Sequence, residues 1–186
     1  MNQLIDFHNR RINYLRISIT DRCNLRCRYC MPKEGISQFG HSEILGYEEV
    51  LRLCALALKK GITKIRITGG EPLVRKDAVQ LVHQISQLSG LQDLSITTNG
   101  ILLEEFAPRL FGAGLRRVNV SMDSLNPEKY RVITRGGDLS RVWAGIKAAR
   151  LAGLFPIKIN VVAIAGFNDL EILEFARLTM EDPYQV

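Results

Sequence analysis

The stretch YLRISITDRCNLRCRYCMP, residues 14–32, joins a strand-like run to a short loop carrying Cys23, Cys27 and Cys30. A chemically rich loop directly after a strand then recurs along the chain. Alternating and β-branched runs predict strands over Tyr14–Thr20, Lys64–Thr68, Asp93–Thr97, Arg117–Ser121 and Pro156–Val162. Helical patterns fall near Tyr47–Lys60, Asp77–Leu88, Leu103–Phe111, Ser140–Ala152 and Asp169–Met180, several of them ended by glycine. Strands alternating with helices imply a parallel sheet covered by helices. A doubly wound sheet and a partial barrel both satisfy that rhythm. In the first, ligands gather at a switch point, so only some loops should be polar. Here the cysteine loop, TGGEP, TTNG, SMDS and AGFND all lie at the C-terminal ends of strands. That loading of every βα loop is the barrel pattern. The expected fold class is α/β, an incomplete TIM-type (β/α) barrel of about five βα units, with a sixth strand beginning at the C-terminus.

The cysteines are spaced C-x3-C-x2-C, which gathers three thiolates and supplies no fourth. Structural zinc is usually closed by four ligands. An iron–sulfur cluster held by three cysteines leaves one iron with an open coordination position. The fourth cysteine, Cys54, lies in YEEVLRLCALALKK, where Val50, Leu53, Cys54, Ala57 and Leu58 recur at helical spacing. It reads as a small core residue. A disulfide framework does not suit a chain of this length with clustered cysteines.

With 186 residues, 46% of them hydrophobic and 24% charged, the chain has the composition of an ordinary globular domain. It carries no membrane-length apolar run and no secretory segment, so a cytoplasmic location is expected, with no membrane partner. The formal charge of +6 comes without any block of like charge, which argues against a nucleic-acid arm. His8, His41 and His83 are expected at the surface, Trp143 in packing, and KEGISQFGHSE (33–43) as a loop shielding the cysteines.

Gly69-Gly70-Glu71-Pro72 ends the second strand, where two glycines allow close backbone approach. Behind a C-x3-C-x2-C loop, one βα unit on, the pair of motifs resembles the radical S-adenosylmethionine (radical SAM) superfamily. Tyr29 matches the aromatic residue commonly found before the last cysteine. The runs LRISITDRCNLRCRYCMP, KIRITGGEPLVRKD, TTNG, GLRRVNVSMDSL and IKINVV are further similar, in the same order, to the GTP-cyclising family of molybdenum cofactor biosynthesis.

That resemblance implies a [4Fe–4S] cluster, S-adenosylmethionine, GTP as substrate, an external electron donor, and a homodimer of the full-length enzyme. It implies reductive cleavage of S-adenosylmethionine, hydrogen abstraction from C3′ of GTP, and attack of the ribose radical on C8 of guanine. By matching position, Cys23, Cys27 and Cys30 should ligate the cluster. Tyr29, Gly70 and Ser121 should contact S-adenosylmethionine, and Arg16, Arg66, Thr97 and Lys158 should contact GTP. The physics of the last group agrees. Arg16, Arg66 and Lys158 sit among apolar neighbours in three separate strands, at equivalent depth, and a triphosphate is the anion such cations need. Taken singly, each cation could equally face solvent, Thr97 could simply end its strand before an Asn99-Gly100 turn, and Ser121 and Asp123 could be caps. Glu71 could meet cofactor or a neighbouring cation.

Members of that family continue into a second cysteine trio, whereas this sequence has only Cys54 to spare. The expectation is a truncated radical SAM core domain over 1–186, lacking the second-cluster region and inactive alone. Two other readings are another radical SAM enzyme, such as an activase or peptide-modifying enzyme, and a zinc-binding module built on the cysteine loop.

Overall fold

The strand patterns resolve, in a computed structural model that describes residues 4–35, 40 and 43–186, into one parallel sheet. Among the described residues its strands are β1 (Tyr14–Ser18), β2 (Lys64–Thr68), β3 (Asp93–Thr98), β4 (Arg117–Ser121), β5 (Ile157–Asn160) and β6 (Tyr184–Gln185). Their spatial order is the sequence order, β1 to β6. No strand reverses the progression, so there is no switch point. Crossovers between parallel neighbours are right-handed almost without exception, which puts every connecting helix on one face. The sheet is open between β1 and β6, as in an incomplete barrel.

The helices are α1 (Tyr47–Lys59), α2 (Ala78–Ser86), α3 (Leu103–Gly112), α4 (Pro127–Thr134), α5 (Leu139–Leu151) and α6 (Ile172–Glu181). They cover Ile65, Ile67, Leu94, Ile96, Val118, Val120, Ile157 and Ile159, which form one buried cluster with helix residues such as Leu81, Ile85, Leu103, Leu110, Val142 and Ile146. Cys54 is fully buried in this cluster, and Trp143 packs against it with its ring 6.4 Å from that of Tyr184. His8 and His83 are exposed. His41 and residues 36–39 and 42 of the 33–43 loop lie outside the described residues.

Strand alternation sends the intervening residues to the other face. The register aligns Arg16, Arg66, Ser95 and Arg117 in one row, and Thr97, Asn119, Lys158 and Gln185 in the next. This face is polar throughout its centre. The sheet therefore has a helix-covered apolar side and an uncovered polar side, and the candidate site lies on the latter.

One helix was not expected. α4 follows Asn126, whose Oδ1 accepts from the backbone N–H of Glu128 (3.0 Å) and Lys129 (3.1 Å), with Pro127 at the first helical position. Asn-Pro is a sound start signal, but the segment is short and lies next to the polar SMDS run. A single-turn 3₁₀ helix at Pro72–Val74 also falls where the periodicity carried no signal, and another at Asp169–Glu171 replaces the predicted start of α6.

Glu171 ties the start of α6 to the exit of β4. Its carboxylate accepts from Ser124 Oγ (2.8 Å) and Leu125 N (2.8 Å) and pairs with Lys129 Nζ at 3.0 Å. Burial pushes its pKa up, but Lys129 and the two hydrogen bonds outweigh burial and hold it below the ordinary carboxylate range. With a depressed folded pKa, the unfolded chain takes up the proton first. The stabilisation is present above the unfolded value and is lost as pH falls through the folded one. Thermal melts from about pH 6 down to about pH 3 should show Glu171→Gln flattening the acid limb of the stability curve. An acid limb identical to wild type would refute this role.

Candidate active site

The cysteine loop is fixed from two sides. On one, the β2 exit runs alongside it, with Gly70 N donating to Thr20 O and Glu71 N donating to Arg22 O, both at 2.8 Å. A methyl group on Gly70 would lie 2.3 Å from the Arg22 carbonyl oxygen, and on Gly69 2.6 Å from that of Thr20. The glycine pair is thus a clearance requirement. On the other side stands the end of α4. Arg28 N donates to Ile133 O (2.9 Å), and Arg26 N donates to Thr134 O (3.2 Å). Arg135, in left-handed conformation at the helix C-cap, donates from Nη1 to Arg26 O (3.0 Å) and Met31 O (2.7 Å). Arg26, Arg28, Lys33 and Arg135 line a cavity of about 420 Å³ beside the loop.

All three loop cysteines are free; Cys23 and Cys27 are half-buried and Cys30 is exposed. Burial, followed by the charges of Cys30, Asp123 and Cys23, pushes the Cys27 thiol up to about 12. Burial first, then neighbouring charge, raises Cys23 and Cys30 as well. A bound metal cation offsets repulsion of this kind between thiolates and so displaces the protons. Among the described residues no group of three or more His, Cys, Asp or Glu is gathered closely enough for one metal ion. A tetrahedral zinc site would need sulfurs within about 4 Å of each other. A cluster places each cysteine on its own iron, which suits three thiols carried on one short loop.

Two buried carboxylates stitch the loops together. Glu71 has no solvent exposure and accepts from Leu73 N (3.1 Å), Thr98 Oγ1 (2.8 Å) and Asn99 N (2.7 Å). Burial raises its pKa against the pull of those donors. Among the described residues it pairs with no cation, and its contacts join the β2 and β3 exits. Asp123 is no simple cap either. Its Oδ2 accepts from the Tyr29 hydroxyl (2.7 Å) and its Oδ1 from Val162 N (2.9 Å), while Asn168 Nδ2 donates to its carbonyl (2.6 Å). Burial and then this hydrogen bond raise the Tyr29 pKa. The exits of β1, β4 and β5 are thereby linked.

On the polar face, Arg16 is exposed and Arg66, Thr97 and Lys158 are half-buried. Arg16 and Arg66 are register partners. Lys158 is not at their depth, since its row is that of Asn119 and Thr97, two residues or about 7 Å nearer the strand ends. Among the described residues Arg117 is forked onto Asp93, whereas no carboxylate pairs with Arg16, Arg66 or Lys158. Arg66 Nε, Ser95 Oγ, Thr97 Oγ1 and Asn119 Oδ1 are buried without a hydrogen-bond partner. Such groups are costly unless a ligand satisfies them. Ser95 and Asn119 escaped the sequence reading, although their alternation with apolar residues in LSIT and RVNVS placed them on the arginine face. Ser121, paired with Asn160, and the exposed Gly70 stand at the strand ends, toward the cysteine loop.

Comparison with known proteins matches residues 17–179 to the model of the radical SAM superfamily. The chain belongs to the radical SAM superfamily. A [4Fe–4S] cluster and S-adenosylmethionine are implied by that membership. Among curated relatives, the GTP 3′,8-cyclase of Alkaliphilus oremlandii is 57% identical over 97% of this chain and 57% of its own length. The enzyme of that name from Peptoclostridium acidaminophilum is 55% identical over 98% of this chain and 56% of its own length. The chain thus spans little more than half of these relatives. Among solved structures, methylornithine synthase superposes with a TM-score of 0.71 at 20% identity, over 91% of this chain and 50% of that one. Streptococcus suis SuiB bound to S-adenosylmethionine gives 0.70 at 20% identity, over 91% and 36%. Both share the radical SAM barrel fold.

The clearance at Gly70 is testable. Gly70→Ala should lower stability by about 1–3 kcal/mol, because rigid backbone of the cysteine loop must shift. Gly112→Ala, where an added methyl meets nothing within 4 Å, should fall on the stabilising side by no more than about 1 kcal/mol. Denaturant midpoints compare the two, and equal midpoints would refute the close-approach reading.

Proposed function

We propose that this radical SAM chain forms the core of an enzyme that cyclises GTP between C3′ and C8. The observation that carries the reading is the juxtaposition, on one sheet, of a three-cysteine rim with a polar floor of unpaired cations and unsatisfied polar groups. Residues 1–186 are read as the radical SAM core, with GTP turnover assigned to the whole protein. A cytoplasmic setting, where thiols stay reduced, suits the free cysteine trio. No helix among the described residues is long and apolar enough to cross a membrane.

In this reading Cys23, Cys27 and Cys30 hold the cluster. When bound, the cluster and S-adenosylmethionine supply the radical that begins the reaction, with the electron coming from an external donor. The protein supplies position. Gly70 brings its main chain to the rim with no side chain in the way, and Ser121 offers a hydroxyl at the neighbouring strand end. Tyr29, tethered by its hydroxyl to Asp123, holds the backbone next to Cys30. Arg16, Arg66 and Lys158 face the GTP phosphates across two rows of the sheet, which suits an extended anion better than three cations at one depth would. Thr97, with Ser95 and Asn119 beside it, offers hydroxyl and amide groups for the polar parts of the nucleotide. Holding the nucleotide fixed against the rim converts the attack into an oriented, unimolecular event.

Anaerobic reconstitution of the full chain should load about four irons, and alanine at any of the three loop cysteines should abolish loading while Cys54→Ala retains it. In calorimetric titrations, Arg66→Ala or Lys158→Ala should weaken GTP binding roughly ten- to hundredfold, the value of a charged hydrogen-bond contact. A chain that loads iron yet binds GTP no better than orthophosphate would overturn the substrate assignment and leave the cluster assignment standing.

A further inference from the structure

The asparagine of the TTNG turn is placed with more care than a turn requires. Asn99 donates from Nδ2 to Asn24 Oδ1 at 2.7 Å and to Cys23 Sγ at 3.8 Å. Which end of the amide faces the sulfur is settled by its other end, because Asn99 Oδ1 accepts from Ile101 N at 3.1 Å. A flipped amide would set its nitrogen against that N–H. The backbone of Asn99 is equally fixed, with its N–H on the buried Glu71 carboxylate at 2.7 Å. Both amide hydrogens therefore have assigned targets, and one of them is a sulfur. Leu25 N supplies a second donor to the same sulfur at 3.4 Å.

We infer that Asn99 sets the reduction potential of the cluster held by Cys23, through its amide N–H to that sulfur. The inference rests on the cluster reading above. Hydrogen bonds to cluster sulfurs are one of the protein's means of fixing potential. Added electron density on reduction resides partly on the thiolate sulfurs, so a donor stabilises the reduced state more than the oxidised one. Asn99 thus raises the potential and makes the cluster easier to reduce. The chain of contacts gives Glu71 a purpose: it fixes the Asn99 backbone, and Asn99 in turn addresses the ligand. Asn99 is a positioning residue that acts on the cluster through Cys23.

The test is a redox titration, followed by electron paramagnetic resonance, of the cluster-loaded full chain and its Asn99→Leu variant. Leucine keeps the shape and removes both donors. The expected result is a midpoint shifted to more negative potential at unchanged iron content. Should the variant fail to load, wild type carrying ¹⁵N-asparagine decides the matter by electron–nuclear double resonance. An exchangeable proton bonded to ¹⁵N and coupled to the reduced cluster supports the inference. A loaded Asn99→Leu chain with an unshifted midpoint, or wild type without that coupling, overturns it and leaves the cluster reading intact. A wild-type chain that takes up no cluster overturns the cluster reading, and this inference with it.

Discussion

A carboxylate with no contact to solvent holds this rim together. Glu71 is fully buried, and burying an ion costs several kcal/mol unless donors replace its water shell. Three donors do so, one from its own turn and two from the β3 exit. The consequence is directional. Because Glu71 has used its acceptors on Thr98 and Asn99, the GGE and TTNG turns keep one relative position. Because the two preceding glycines lie flush against Thr20 and Arg22, the cysteine loop keeps its position relative to both. The rim is a rigid frame made from loops that are separately weak.

The sheet beneath it departs from an ordinary barrel interior. Barrel lumens are usually packed with Val, Ile and Leu in layers. Here those residues face the helices, and the uncovered face carries Arg16, Arg66, Ser95, Thr97, Asn119 and Lys158. The fold keeps its stability on the helix side, where the buried cluster is continuous, and leaves the other side free for a polar ligand. The Asp93–Arg117 pair, near the start of its strands, neutralises the one further arginine of that face.

Much of this was legible in the sequence because period-two alternation and glycine punctuation are local signals. Residues such as Ile65 and Ile67 against Arg66 declare two faces without any structure. The barrel-type winding followed from where polar loops fall, and the strand order agrees. What escaped was set by contacts between distant residues. The depth of Lys158 depends on register with β4, which no single strand encodes. The partners of Glu71 and Asp123 lie 27 and 94 residues away, at Thr98 and Tyr29, so the sequence could offer only a cofactor or a neighbouring cation for Glu71 and a cap for Asp123. α4 was missed although Asn126-Pro127 announces it, and with it went the clamp on the cysteine loop.

That clamp orders events in time. The main-chain groups of the cysteine loop find their partners at Ile133 and Thr134, and Arg135 reaches back 109 residues to Arg26. The loop is made early by the ribosome but cannot be held on this second side until four strands and α4 have emerged and packed. Until then the loop is held only on its β2 side, through Thr20 and Arg22. Under the cluster reading, loading of a correctly shaped loop is therefore a late step in the life of the chain, coupled to the folding of a region far along in sequence.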